Sequence, residues 1–232
     1  RLCYGFQALM EGVHSECYSL MIDTYVTDPI RKDILFNAIE KLPGVKKKAQ
    51  WACKWLDASI PIGKRLIAFA IVEGIFFAGS FCAIFWLKNT KGLMTKAFAK
   101  SNELIARDES LHTDFSVLLY SYITNKLSEE EVHELFQEAI NIESEFIIDS
   151  LKCNLLGMNS EKMIQYIQFV GDRLLNQLGL NKLFNVNNPF SFMDTTCLDG
   201  KTNFFEQRST DYNRAEQLNG HGIMNTEILD DF

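Results

Sequence analysis

The sequence predicts an all-α protein, and three observations support this fold class. Apolar residues recur at helical spacing along most of the chain, whereas strand-like alternation is nearly absent. Only four prolines and thirteen glycines interrupt the 232 residues. Apolar residues make up 47% of the chain, enough for one large domain with a substantial core. The net charge of −7 and the lack of a long basic run argue against a nucleic-acid partner.

The first three predicted helices are separated by proline-containing turns. Asp28-Pro29 stops the first of them and Pro43-Gly44 ends the second. The three helices cover about 2–27, 30–42 and 45–56.

The next segment, 66–87, is apolar apart from a few small residues and one charge, Glu73. Its length suits a membrane-spanning helix, and its composition equally suits a helix buried at the centre of a bundle. No other segment resembles a membrane span, and a buried Glu73 is costly unless it has a partner such as a metal ion. We therefore predict a central bundle helix and no membrane insertion.

Three more helices follow, over about 96–125, 128–151 and 160–178. Ser128 with Glu131 three residues later forms a capping box at the start of the second, and Gly179 ends the third. Beyond them the pattern fades into a polar tail. We predict a helical domain over 1–205 and a largely disordered tail over 206–232.

Two features bear on context. The six cysteines are scattered without a C-x-x-C spacing, which indicates reduced thiols and a cytoplasmic protein. The chain begins at Arg1 and enters helical periodicity at once, so we expect an N-terminally truncated bundle.

The spacing Glu-x-x-His places a carboxylate and an imidazole on one helical face, and it occurs in Glu11/His14 and in Glu109/His112. Two such pairs with further glutamates, here Glu73, form the di-metal site of ferritin-like helical bundles. Each pair alone is also compatible with a core histidine beside an acid. Their joint occurrence favours the metal site.

A third copy, Glu130-x-x-His133, lies in the first turn of a predicted helix. Acidic residues are favourable there because they compensate the helix dipole while facing water. We interpret this copy as a solvated face.

Tyr18 lies one turn after His14, so its ring is predicted to approach the proposed metals. Phe77 and Phe81 follow Glu73 by four and eight residues, and Ile105 precedes Glu109 by four. These side chains would stack on the metal-facing stripe and wall a dry pocket. Plain core packing accounts for the same residues.

These residues carry a resemblance to the small subunit of class I ribonucleotide reductase, eukaryotic type. The segments 11–25, 72–81 and 107–115 carry this resemblance. Further matches are 36–40, 45–49, 166–174 and 200–206, and together the matches cover essentially the whole chain in the right order. The resemblance implies a ferritin-like bundle of the di-iron carboxylate type. In that family Glu11 and Glu109 would bridge two iron ions. His14 would bind one iron, and Glu73 and His112 would bind the other.

The resemblance also implies a radical pathway. Tyr18 matches the tyrosine oxidised to a radical after the metal site reacts with dioxygen, and its pocket matches Phe77, Phe81 and Ile105. Asp108 matches the acid hydrogen-bonded to the ligand His14, and Tyr212 matches the tyrosine that relays the radical to the large catalytic subunit. The carboxy-terminal peptide would dock that subunit through Ile228, Leu229 and Phe232. A homodimer is expected.

Two departures from the family pattern matter. The remaining iron ligand, an aspartate, and a nearby tryptophan have no counterpart in these residues, so we expect incomplete metal loading. Thr226 occupies a position that is usually aromatic in the docking peptide. The rival hypothesis is a ferritin-like iron-oxidising or storage bundle. The metal could be iron or a manganese–iron pair.

Overall fold

The computed structural model describes residues 2–92, 97–151 and 158–193. All the regular elements within these ranges are helices. In chain order they are α1 (Leu2–Tyr25), α2 (Pro29–Phe36), α3 (Ala38–Lys41), α4 (Pro43–Lys54), α5 (Ile62–Ile75), α6 (Ala78–Lys91), α7 (Ala97–Ser121), α8 (Glu129–Ser150) and α9 (Ser160–Gln177). The predicted all-α class is confirmed. The predicted boundary between domain and tail, at 205–206, lies outside the described residues.

The structure confirms the capping box predicted at the start of α8 and the glycine predicted at the end of α9. The Ser128 hydroxyl accepts from the Glu131 amide at 3.2 Å, and a Glu131 carboxylate oxygen accepts from the Ser128 amide at 2.9 Å. These two bonds satisfy backbone donors that the first turn of a helix leaves free. Gly179, with φ of 77°, adopts the left-handed conformation that glycine allows just after a helix end.

The predicted helix over 30–42 was wrong in two respects. It is broken at Asn37, whose side-chain amide donates to the Asp33 backbone carbonyl and to the Asp33 carboxylate, both at 2.9 Å. Such local bonds compete with helical backbone bonds. Pro43 begins α4 rather than ending the preceding helix, because a proline at the first helical position has no amide to leave unpaired.

The apolar segment predicted as one helix is divided into α5 and α6 at Phe76–Phe77. The Phe76 amide bonds to the Ile71 carbonyl, five residues back, at 3.4 Å. The Phe76 carbonyl accepts instead from Nζ of Lys48 on α4, at 2.6 Å. Lys48 also pairs with Glu143 on α8 at 2.5 Å, so contacts from two other helices stabilise the break.

Helix α5 lies at the centre of the fold, packed against α4, α6, α7, α8 and α9. In the part of the chain that the structure describes, Ile62–Lys91 is the one helical run long and apolar enough to cross a membrane. Its most apolar window is 56% buried within the bundle. Burial in a core produces such a composition, and the prediction of a central helix is confirmed.

Helix α1 packs on α7 and α2 through a face that is polar rather than apolar. Its buried residues are polar, Gln7 and His14, whereas Phe6, Leu9 and Leu20 are more than half exposed. Apolar burial therefore does little to hold α1 in place. Its inward polar face leads directly to the candidate site.

Candidate metal centre

Three helices bring together the five side chains predicted to ligate metals. Helix α1 contributes Glu11 and His14, α5 contributes Glu73, and α7 contributes Glu109 and His112. Oxygen or nitrogen atoms of Glu11, Glu73, Glu109 and His112 lie within 4.8 Å of one another. The two imidazole ring centres are 6.4 Å apart.

Two carboxylates divide their oxygens between the two imidazoles. Glu11 places Oε2 3.5 Å from Nδ1 of His14 and Oε1 3.1 Å from Nδ1 of His112. Glu109 places Oε1 3.2 Å from Nδ1 of His14 and Oε2 3.4 Å from Nδ1 of His112. Each of these two carboxylates therefore faces both imidazoles. Glu73 approaches the His112 side, at 3.9 Å.

Several of these polar atoms are buried without a hydrogen-bond partner among the described residues: Oε1 of Glu11, Nδ1 of His14, Oε2 of Glu109, and Nδ1 and Nε2 of His112. Buried polar atoms are costly unless they are paired. A cation between the oxygens and the nitrogens satisfies most of them at once. The donor set of carboxylate oxygens and imidazole nitrogens fits two divalent transition-metal ions.

The carboxylates also affect one another's protonation. Burial, followed by the neighbouring Glu73 and Glu11, raises the pKa of Glu109 to about 9. Burial is also the main cause of the raised pKa of Glu73. In the absence of a cation, the site therefore retains a proton near neutral pH.

Asp108, on α7, places Oδ2 3.0 Å from Nε2 of His14. A carboxylate there orients the imidazole so that Nδ1 faces the two glutamates, the usual support for a ligating histidine. Tyr18 was predicted to approach the proposed metals, and it is hydrogen-bonded to a residue of α7. Its hydroxyl donates to Oδ1 of Asn102 at 2.8 Å, and the residue is 36% exposed.

The predicted pocket residues have mixed positions. Ile105 is buried, Phe81 is half-buried, and Phe77 is 41% exposed. Their placement on the Glu73 stripe assumed a continuous helix. The break at Phe76–Phe77 shifts the helical register, so the spacings of four and eight residues from Glu73 no longer define one face.

The third Glu-x-x-His copy is absent from the site. Glu130 is exposed as predicted, but His133 is not simply solvated. Its Nε2 lies 3.0 Å from the Asn181 carbonyl oxygen and 3.7 Å from Glu129. The imidazole joins α8 to the segment that follows α9. The tail positions Tyr212, Ile228, Leu229 and Phe232 lie outside the described residues.

Two neutral amides at the site escaped the sequence analysis. Nε2 of Gln7 donates to Glu73 at 3.4 Å, and Asn102 is the partner of Tyr18. Gln7 precedes Glu11 by one helical turn and Asn102 precedes Glu109 by two. Helical spacing could have found both, but an amide carries no chemical signal of its own.

A family profile described as "Ribonucleotide reductase, small chain" matches residues 1–189. The chain belongs to this family. A ribonucleoside-diphosphate reductase small chain of Nicotiana tabacum is 52% identical over 100% of this chain and 70% of its own length. Human ribonucleoside-diphosphate reductase subunit M2 is 54% identical over 100% of this chain and 58% of its own length.

Solved structures of ribonucleotide reductase proteins share the fold. The Rnr4 homodimer of Saccharomyces cerevisiae superposes with a TM-score of 0.73 at 38% identity, over 90% of this chain and 63% of that one. A putative class I ribonucleotide reductase of Bacillus halodurans, 19% identical, reaches the same score and supports the fold alone. The predicted family and its ferritin-like helical fold are confirmed. The chain spans 53% to 70% of the length of curated relatives such as those of Neurospora crassa and Nicotiana tabacum.

Proposed function

We propose that this chain supplies five ligands to the di-iron centre of a radical-generating small subunit of ribonucleoside-diphosphate reductase. Because the aspartate ligand of the family has no counterpart among these residues, the chain alone would load the metals incompletely. The observation that carries the proposal is the division of Glu11 and Glu109 between His14 and His112, with Glu73 on the His112 side. Glu11, His14, Glu73, Glu109 and His112 would hold the metals. When bound, the iron pair supplies a one-electron oxidant formed with dioxygen.

The residues around the iron ligands have distinct tasks. Asp108 fixes the ring of His14 and thereby directs Nδ1 to the carboxylates. Gln7 supports Glu73 with a neutral donor, so it adds no charge to an acidic site. Tyr18, on the same face of α1 as His14, is the side chain that would store the oxidising equivalent.

The reduction of ribonucleotides would take place on a large catalytic subunit. Tyr212 would relay the radical, and Ile228, Leu229 and Phe232 would dock the partner, as the family resemblance implies. The yeast relative is named as a homodimer, which supports a homodimer for this chain. A cytoplasmic location agrees with the exposed free thiols of Cys3 and Cys53.

Electron paramagnetic resonance tests the radical assignment. The chain is given ferrous iron and dioxygen after bound iron has been measured, and we expect a tyrosyl signal that is lost in Tyr18→Phe. The control is Tyr122→Phe, because Tyr122 is 77% exposed and lies just after the end of α7.

A signal that survives Tyr18→Phe contradicts the assignment. Iron oxidation without any tyrosyl signal in the unmodified chain favours the rival, an iron-oxidising or storage bundle.

A further inference from the structure

Asn102 is a fully buried amide, with 0% exposure, on the same helix as Glu109 and His112. Both ends of its side chain are occupied. Nδ2 donates to the Phe98 backbone carbonyl at 2.8 Å, and Oδ1 accepts from the Tyr18 hydroxyl at 2.8 Å. A buried amide with two short bonds has one orientation, since any other leaves polar atoms unpaired.

The direction of the bond to Tyr18 follows from that orientation. A backbone carbonyl can only accept, so the nitrogen of Asn102 must face Phe98 and the oxygen must face Tyr18. Tyr18 is then obliged to donate. The backbone of α7 therefore determines where the proton of a side chain on α1 points.

We propose that Asn102 is the positioning residue of Tyr18, holding its hydroxyl as a hydrogen-bond donor and favouring the reduced, protonated side chain. A phenolate or a tyrosyl radical has lost that proton, and its oxygen would face the Asn102 oxygen as a second acceptor. Burial and the charge of Glu109 act in the same direction by raising the pKa of Tyr18.

Only the effect of Asn102 on radical formation rests on the proposed function. If Tyr18 carries a radical, that radical forms without the bond to Asn102, so Asn102 opposes oxidation of Tyr18. The hydrogen bond itself belongs to the metal-free chain and can be tested there.

Isotope-edited infrared spectroscopy reads the bond directly. The metal-free chain is labelled with tyrosine carrying ¹³C at the phenol carbon, and subtraction of the Tyr18→Phe spectrum isolates the C–O stretching band of Tyr18. In Asn102→Leu we expect this band to shift to that of a hydroxyl without an acceptor. A band at the unmodified position in Asn102→Leu overturns the proposal.

A second variant separates hydrogen bonding from packing. Asn102→Asp retains an oxygen toward Tyr18 but removes the amide donor to Phe98, so the band of a donating hydroxyl should be retained. Loss of that band in Asn102→Asp also overturns the proposal. If Asn102→Leu does not fold, the test relies on Asn102→Asp. Tyr120, whose hydroxyl accepts from the Leu127 amide at 3.1 Å, is the internal control. Its band should not change in either variant.

The iron-loaded protein provides an independent readout. With ferrous iron and dioxygen, we expect a higher yield of tyrosyl signal in Asn102→Leu than in the unmodified chain, and an unchanged or lower yield overturns the stated consequence. If no variant forms a radical while the infrared shift is present, the proposed function fails and the hydrogen-bond role of Asn102 stands.

Discussion

Glu11 and Glu109 show how single residues shape the site. Each directs one carboxylate oxygen to His14 and the other to His112, so the two acids lie between two imidazoles. Such crowding of acids is unfavourable without a cation, and protonation relieves it. Burial is the main cause of the raised pKa of Glu109 and of Glu73, and the charge of the neighbouring Glu11 adds to both.

Binding of Fe²⁺ or Mn²⁺ at pH 7 is expected to release about one proton from this cluster. Glu109, with a pKa of about 9, is protonated at pH 7 and must lose its proton to ligate. Metal affinity should therefore rise as pH increases from 6 toward 9. Calorimetry in buffers of different ionisation enthalpy measures the release. Glu130→Gln, outside the site, should release the same number, and a release unchanged in Glu109→Gln would contradict the assignment.

The two Glu-x-x-His histidines of α7 and α8 offer a matched comparison. His112→Ala should weaken metal binding by more than about tenfold, because it removes a nitrogen facing Glu11, Glu73 and Glu109. His133→Ala should leave the affinity unchanged, since His133 contacts Asn181 and Glu129 instead. Equilibrium metal titration measures both, and equal effects would place the site elsewhere.

Among the elements, the break between α5 and α6 depends on one buried ion pair. Glu143 has 0% side-chain exposure and Lys48 14%, and the ammonium also bonds to the Phe76 carbonyl and lies 3.9 Å from the centre of the Phe146 ring. Burial raises the pKa of Glu143 to about 7, while the nearby Lys48 opposes the shift. The pair stabilises the break because neither partner is well satisfied alone.

Lys48→Met is expected to cost about 3–5 kcal/mol of unfolding free energy, because it leaves Glu143 buried and unpaired. The double variant Lys48→Met/Glu143→Leu should cost clearly less, because no unpaired charge remains. Urea denaturation measures both. Lys47→Met is the control, since Lys47 and Glu145 form an exposed pair worth at most about 1 kcal/mol. Additive effects of the two buried substitutions would show that the pair is not coupled.

Gly79, near the start of α6, lies close to side chains of α8. A methyl group there would lie 2.6 Å from Cδ1 of Ile147 and 3.0 Å from a Glu143 carboxylate oxygen. Gly79→Ala should therefore destabilise the fold by about 1–3 kcal/mol despite alanine's higher helix propensity.

Gly12 in α1 offers the opposite case, because a methyl group at this position would have no neighbour within 4 Å. Gly12→Ala should therefore stabilise the fold by up to about 1 kcal/mol. Thermal unfolding of the two variants compares them. A neutral Gly79→Ala would mean that α6 and α8 are less closely packed than described.

For the whole molecule, the site joins a weakly packed helix to a well-packed core. Helix α1 buries Gln7 and His14 rather than apolar side chains, whereas α5 is largely buried. A cation that ligates residues of α1, α5 and α7 therefore acts as a clamp. Binding to the folded chain alone stabilises it by about 2.7 kcal/mol at one hundred times the dissociation constant.

Metal binding is expected to slow amide hydrogen exchange most strongly in α1, and less in α5, where packing already protects the backbone. Exchange followed by mass spectrometry, with and without Mn²⁺, measures the difference. Glu11→Gln/His14→Ala should abolish the protection of α1. Equal protection of all helices would indicate a global effect rather than a clamp.

Much of this architecture could be predicted because it depends on local spacing. The capping box at Ser128 and the glutamate–histidine pairs of α1 and α7 are set by neighbours three residues apart, so the chain encodes them directly. The family was also evident from its motifs. The breaks at Asn37 and Phe76 were missed, the first because an asparagine side chain competes with the helix, the second because Lys48 and Glu143 act across the fold.

The amino-acid sequence by itself determined the helical class, the family and which acids and imidazoles could ligate a metal, because these follow from residue type and helical period. Only the tertiary structure decided which oxygen faces which imidazole and that Asn102 accepts a hydrogen bond from the Tyr18 hydroxyl. It also placed His133 in a contact away from the site. Those outcomes depend on how α1, α5 and α7 pack together. Packing is a property of the whole chain, so no local pattern specifies it.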